Sequence, residues 1–356
     1  MSKPRVIIST DIGGADPDDD QSMVHALLYA DKLDIEAIIS TPTKHGGRAS
    51  DIHQVIDAYS KDYGNLKTWS SDYPTPDYLK SVVYQGNINV APSAGYSSAT
   101  AGSNAIIKAA KTASPSDPVW VLTWGAMTDL AQALHDDPSI KSNIKVYSIG
   151  AWNDQQDPHA RNYVYNNHKD LWWIENDSTF RGMYVDSTGA EKNAWKMGDA
   201  QGHGALGDFF HQARPWGLKM GDTPSLLYLL DNANNLTPSA SSWGGAFKQN
   251  GHGPNYWTDN PDSSLRDGSY NGSETVRVHQ KAFYEEFAQR LDRAKSPNGG
   301  SNADNPVIAN NDTAATDRDK AVVVKVLAND KAADGGLKLA SADAASAKGG
   351  KVVMNS

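Results

Sequence analysis

The stretch Ser9-Thr10-Asp11-Ile12-Gly13-Gly14-Ala15-Asp16-Pro17-Asp18-Asp19-Asp20-Gln21-Ser22 constrains this chain more than any other. An apolar run, Val6-Ile7-Ile8, precedes it, and an amphipathic run from Met23 to Ala30 follows. The order is strand, glycine turn, carboxylate cluster, helix. Five aspartates fall between Asp11 and Asp20. So many neighbouring carboxylates repel one another at neutral pH, and a bound cation is the usual relief. Every ligand on offer is a hard oxygen, which favours Ca²⁺ or Mg²⁺ over zinc or copper.

Simpler readings explain less. Helix N-capping accounts for one or two of Asp18, Asp19 and Asp20, but not for Asp11 or the glycine pair. An EF-hand loop opening at Asp16 needs glycine at its sixth position and glutamate at its twelfth. The chain has Gln21 and Leu27 there. A phosphate-cradling loop needs a G-K-[ST] ending that is missing, and the carboxylates would repel phosphate. A metal site just past the first strand is the reading that remains.

Down the chain, Asp34–Ser40, Val119–Trp124, Ile144–Ile149 and Leu171–Ile174 read as nearly continuous apolar strands, the pattern of strands covered on both faces. Helical patterns over Ala49–Tyr63 and Gly102–Ala113, and one after Gly125, alternate with them. The expected fold class is α/β, a mostly parallel sheet flanked by helices. Ligands in such sheets bind at the carboxyl ends of the strands, which is where Asp11, Trp124 and the Gly150–Asp157 loop fall. Glu274–Lys295 reads as one long helix. Val278, Ala282, Phe283, Phe287 and Leu291 would dock on the sheet, with Glu285, Glu286, Arg290, Asp292 and Arg293 on a solvated face. Residues 296–305 have the composition of a linker, which divides the chain into a domain over 1–295 and a tail over 306–356.

Composition narrows the function classes. Net charge is −9 with no basic tract, which argues against a nucleic acid polymer as partner. The chain has no cysteine, so disulfides and thiolate metal sites are excluded. No apolar stretch reaches the roughly 20 residues that span a bilayer, so membrane insertion is not expected. The opening Met-Ser-Lys-Pro-Arg is no signal peptide; an exported protein would have lost its leader. Tryptophan and tyrosine, 10 and 15 against 6 phenylalanines, suit half-buried sites and stacking on sugar rings.

The aspartate-rich stretch resembles the N-terminal motif of the nucleoside hydrolase superfamily, D-x-D-P-G-x-D-D at the end of the first strand. It is closer to a bacterial nucleoside-hydrolase-like branch known as cellulose-binding, whose motif runs T-D-I-G-x-x-P-D-D-x-x-S. Thr10 to Ser22 match that motif with one extra residue near Ala15. Further similarities cover about residues 4 to 295. The turn Trp124-Gly125-Ala126-Met127-Thr128-Asp129 is similar to the superfamily's T-G-G-L-T-N turn, and Gly221-Asp222-Thr223-Pro224 falls where that family has His-Asp-Pro. Trp243-Gly244-Gly245 and Asn255–Asp259 also resemble the bacterial branch and are expected to close one side of the cleft.

What the resemblance implies is a Ca²⁺ ion held by Asp11, Asp19, Asp222 and the backbone carbonyl of Trp124. Asp18, Asn153, Asp154 and Asp157 would hold sugar hydroxyls. A one-residue change of register would make the aspartate pair Asp19-Asp20, and Asp16 has no certain counterpart. The implied activity is calcium-dependent hydrolysis of an N- or O-linked glycosidic bond, by a metal-bound water with Asp11 as general base. Gly221 stands where purine-specific relatives carry a histidine, which puts inosine-type chemistry in doubt. His203 and His252 are weak substitutes as acids. The alternatives are a carbohydrate-binding protein without catalysis, with cellulose-type polysaccharide as its partner, and an inert protein with a structural calcium site. The tail, with Asn311-Asp312-Thr313-Ala314 and Val322–Leu327, resembles the opening of a bacterial Ig-like or cadherin-like repeat. Such repeats belong to secreted proteins, so an extracellular or periplasmic location is expected.

Overall fold

The strands of this chain alternate their side chains between two apolar cores, which is why they read as unbroken hydrophobic runs. In a computed structural model of the protein, the described residues are 3–14, 17–42, 47–184, 200–213, 218–231 and 237–295, with scattered tail residues between 312 and 353. Asp16 and the linker over 296–305 lie outside them. The strands are β1 (Arg5–Thr10), β2 (Asp34–Ser40), β3 (Val83–Gln85), β4 (Val119–Thr123), β5 (Ile144–Ile149), β6 (Trp172–Asn176), β7 (Phe247–Gln249) and β8 (Tyr256–Asp259). They form one sheet in the order β3-β2-β1-β4-β5-β6-β8-β7. Every neighbouring pair is parallel except β7 with β8.

On β1, Val6 and Ile8 enter one core and Ile7 the other. On β4, Trp120 and Leu122 enter the first core, and Val119 and Val121 the second. The first core is completed by residues from α1 (Asp18–Leu28), α2 (Ala49–Trp69), α3 (Pro76–Ser81), α8 (Gly204–Gln212), α9 (Thr223–Asp231), α10 (Glu274–Arg277) and α11 (Gln280–Ala294). The second is completed by α4 (Ala101–Thr112), α5 (Thr128–Asp136) and α7 (Pro158–Asn167). A short helix, α6 (Trp152–Gln156), occupies the loop expected after β5. The expected fold class is the one observed. No described helix is long and apolar enough to cross a membrane.

The long C-terminal helix departs from its sequence reading. It breaks between Arg277 and Gln280, and Val278 is 62% exposed instead of docked. The buried face of α11 is Phe283, Tyr284, Phe287, Leu291 and Ala294, and Ala282 lies outside it. Arg290, expected in solvent, is only 3% exposed. Its Nη1 donates to Asp31 Oδ1 at 2.6 Å and to the Leu28 carbonyl at 2.9 Å, and its guanidinium lies 3.8 Å from the Tyr29 ring centroid. A charge pattern cannot reveal such a partner 259 residues away.

The chain divides into two compact units, Met1–Ala294 and Lys295–Ser356. Among the described residues of the second, Val322–Lys325 form no strand, and the pairing present is a single antiparallel bridge between Ala345 and Lys351. The Ig-like reading of the tail is therefore not confirmed.

Arg290→Ala would leave the buried Asp31 carboxylate only the exposed Lys32 ammonium at 3.5 Å, and should cost about 3 kcal/mol. Urea unfolding of the variant measures this, and a loss below about 1 kcal/mol would mean that the pair does not hold α11 to the turn after α1.

Candidate functional site

The site begins at the end of β1. The Thr10 hydroxyl, buried, donates to Asp19 Oδ1 and accepts from the Ile12 amide at 3.1 Å, so one side chain fixes both the turn and the first turn of α1. Gly13 has φ +86°, a conformation that favours glycine. The turn after β4 passes so close that a Cβ on Gly125 would stand 2.8 Å from Asp11 Cβ and 2.9 Å from its amide nitrogen. The Trp124 amide donates to the Ser9 carbonyl at 2.7 Å, holding this turn against β1.

Asp222 arrives from far along the chain and is tied down by α1. Gln21 Oε1 accepts from the backbone amides of Lys219 at 2.9 Å and Met220 at 3.2 Å, and Thr223 Oγ1 donates to Ser22 Oγ at 3.1 Å. The buried Trp124 indole donates to Ser225 Oγ at 2.8 Å, and that hydroxyl donates to the Asp222 carbonyl at 2.7 Å. As a result, Asp18, Asp19 and Asp222 each present a carboxylate oxygen within 4.8 Å of the others. They line a cavity of about 570 Å³ together with Asp11, Trp124 and Asn153.

The electrostatics would suit a cation. Burial pushes the Asp19 carboxyl well above the usual range, and the charges of Asp222, Asp11 and Asp18 push it further, against the Thr10 hydrogen bond. The donors are all oxygens, several of them carboxylates, which fits a hard divalent ion. Asp18, expected to hold sugar, stands in the close trio, while Asp11 lines the same cavity just outside it.

The β5–α6 loop separates its three candidates. Asn153 lines the cavity, and its Nδ2 donates to the Trp124 carbonyl at 2.8 Å and the Ile149 carbonyl at 3.0 Å. It thus positions the carbonyl expected to face the ion. Asp154 turns the other way, to a group with Glu175 and Asp177. Arg161 grips Glu175 through Nε and Nη2, both at 2.7 Å, and the Tyr256 hydroxyl also donates to Glu175. Asp154 is pushed up to about 8, first by burial and then by Glu175 and Asp177, and it hydrogen-bonds Asp177. Gly150 is required here, since a Cβ would lie 2.0 Å from Asp177 Oδ1 and 2.5 Å from Asp154 Oδ2.

Asp157 does not line the cavity. Its carboxylate accepts from the Ala160 amide at 3.0 Å, the Ala91 amide at 2.8 Å and the Thr128 hydroxyl at 2.6 Å, so it caps α7 and ties two loops together. The two histidines proposed as acids are likewise remote. His203 Nε2 meets Asp292 at 3.2 Å, and His252 stacks on Tyr165 with centroids 3.5 Å apart. Trp243–Gly245 and Asn255–Asp259 contribute no lining side chain, and Tyr256–Asp259 is strand β8. The lining is completed instead by Phe180, Arg181 and Tyr184, with Lys219 and Trp152, the last 62% exposed. Sequence reading missed these. A polar segment after a strand was the one available hint.

A doubly covered parallel sheet with an acidic cavity at the carboxyl ends of its strands is a ligand-binding α/β architecture. Residues 5–247 match the family model described as cellulose-binding Sde182, nucleoside hydrolase-like domain, and the chain belongs to that family. A solved nucleoside hydrolase-related protein from Saccharophagus degradans, described as associated with carbohydrate metabolism, is 28% identical over 87% of this chain and 77% of its own, with a TM-score of 0.65. A purine-preferring ribonucleoside hydrolase from Gardnerella vaginalis is 16% identical over 82% of this chain and 99% of its own, with a TM-score of 0.46. A plant nucleoside hydrolase is 14% identical over 83% and 100%, with a TM-score of 0.45. No curated protein sequence matches the chain.

Two outcomes follow from these charges. Calcium should stabilise the folded protein, by about 2.7 kcal/mol when the free ion stands about 100-fold above its Kd. Thermal melts should show the rise in the native protein and lose it in Asp19→Ala and Asp222→Ala; an equal rise in those variants would place the ion elsewhere. Because the folded Asp154 carboxyl keeps its proton up to about 8 and an unfolded one loses it near the usual value, stability falls as pH rises through that window. Asp154→Asn should flatten the fall in Tm between about pH 4 and about pH 8.

Proposed function

We propose that this protein is a calcium-dependent hydrolase of a glycosidic bond, N- or O-linked, working at the acidic cavity. The observation that carries the reading is the convergence of Asp18, Asp19 and Asp222 within 4.8 Å, beside Asp11 and a cavity of sugar size. Asp19, Asp222, Asp11 and the Trp124 carbonyl would hold the ion. When bound, the ion makes a water more acidic and fixes its position. Asp11 takes the proton of the attacking water. Asp18 and Asn153 hold sugar hydroxyls, and Trp152 at the mouth offers a ring for stacking. The nearby carboxylates favour the positive charge that develops on the sugar as the bond breaks.

A second reading, carbohydrate binding without turnover, is favoured by one feature: no histidine among the described residues lines the cavity, and Gly221 stands where superfamily members that act on purine nucleosides have one. The family's cellulose-binding description agrees with it. The proposal also takes residues 1–295 as the working domain and 306–356 as an Ig-like or cadherin-like repeat. On the strength of that repeat-like pattern, it places the protein outside the cytoplasm.

Release of product from nitrophenyl glycosides or plant-wall oligosaccharides, followed with and without chelator, tests the reading. Asp11→Asn should lower kcat by about 10²–10⁴-fold, and chelation should abolish turnover. Binding to insoluble polysaccharide with no release from any of these would favour the second reading.

A further inference from the structure

The cavity has a cationic wall as well as an acidic one. Arg5, Arg161, Arg277 and Arg290, all at least partly buried, each pair with a carboxylate. Arg181, also partly buried and lining the cavity, has no ion pair and no side-chain hydrogen bond among the described residues. Rings hold its guanidinium instead, with centroids at 4.5 Å for Tyr270, 5.2 Å for Phe180 and 5.7 Å for Tyr184.

This placement is rigidly built. The Thr179 amide donates to Asp259 Oδ1 at 2.9 Å, the Phe180 amide donates to Asn176 Oδ1 at 2.9 Å, and Ser178 Oγ donates to the Asn271 carbonyl at 2.9 Å. Gln280 Nε2 donates to the Gly182 carbonyl at 2.7 Å, and the Tyr284 hydroxyl donates to the Met183 carbonyl at 2.7 Å. A Cβ on Gly221 would meet Asp18 Oδ2 at 2.6 Å, the Tyr184 hydroxyl at 3.3 Å and the Phe180 ring at 3.5 Å. Two of the three rings around the guanidinium, Phe180 and Tyr184, therefore meet Asp18 at Gly221. Four aspartates and a guanidinium without a carboxylate ion pair among the described residues thus line the same cavity, so it offers both signs of charge to one ligand.

We propose that Arg181 recognises an anionic group, a phosphate or a carboxylate, on a sugar ligand whose hydroxyls face the Asp18–Asp19–Asp222 side. The planar guanidinium donates to two oxygens of such a group at once, which gives geometric selectivity as well as attraction. The carboxylates would repel that anion if it entered the other way round, so the same arrangement fixes orientation. The ligand is thus a charged sugar, unlike cellulose, which is neutral. This assignment rests on reading the cavity as a sugar site; it does not require turnover.

Calorimetric titration of the calcium-loaded protein tests it, with ribose 5-phosphate against ribose and galacturonic acid against galactose. An anionic probe should bind at least about 10-fold more tightly than its neutral counterpart, and Arg181→Gln should remove that preference. Arg181→Lys should retain part of it, since it keeps the charge and loses the fork; this keeps the test open if the glutamine variant folds poorly. Preference in the phosphate pair identifies a phosphorylated sugar, and preference in the other pair a uronic acid. Equal or absent binding of anionic and neutral probes, or a preference that survives Arg181→Gln, overturns the proposal. A preference intact in a protein that hydrolyses nothing would sink the hydrolase reading and leave this one standing.

Discussion

Everything at this site depends on forcing like charges together where water is scarce. Asp19 and Asp222 are buried, and Asp18 stands within reach of both. Unrelieved, such a group either takes up protons or pushes itself apart. The surrounding fold resists the second escape. Thr10 fixes Asp19, Gln21 and Ser22 fasten the 218–223 segment to α1, and Ser225 links the Asp222 backbone to the Trp124 indole. A hard divalent cation resolves the conflict without protons, which is why the donor set reads as a metal site and not as an accident of helix capping.

The second acidic group shows the contrast. Asp154, Glu175 and Asp177 are also close, but Arg161 and Tyr256 satisfy Glu175, and Asp154 shares a hydrogen bond with Asp177. That cluster resolves its repulsion internally. It braces the β5–α6 loop, which in turn aims Asn153 at the Trp124 carbonyl. Two adjacent residues, Asn153 and Asp154, thus serve the cavity and the structural cluster respectively.

How far the sequence revealed this depends on how local each feature is. The β1–turn–α1 unit is contiguous, so its strand, glycine and aspartates could be read directly, and the doubly buried strands showed as apolar runs. Asp222 was legible through its similarity to a family pattern; nothing local marks it. Asp157 shows the opposite failure. An aspartate just before Pro158 is ambiguous between ligand and cap, and its partners Ala91 and Thr128 decide for a cap. Arg181 was invisible because its setting is assembled from residues near 180, 260 and 270–284, which no periodicity connects. Arg290 was misread for the same reason. The short strands β3 and β7, 3 residues each, carry too little pattern to register.

The central claim is that carboxylates distant along the chain share one divalent ion at the carboxyl edge of the sheet. The most direct measurement is a crystal structure of the protein soaked with calcium, with the ion located by its anomalous scattering. The account predicts one peak with oxygens of Asp11, Asp19 and Asp222 at about 2.3–2.6 Å. A peak at Asp154, Glu175 and Asp177 instead, or no peak in the cavity from saturated crystals, would contradict it.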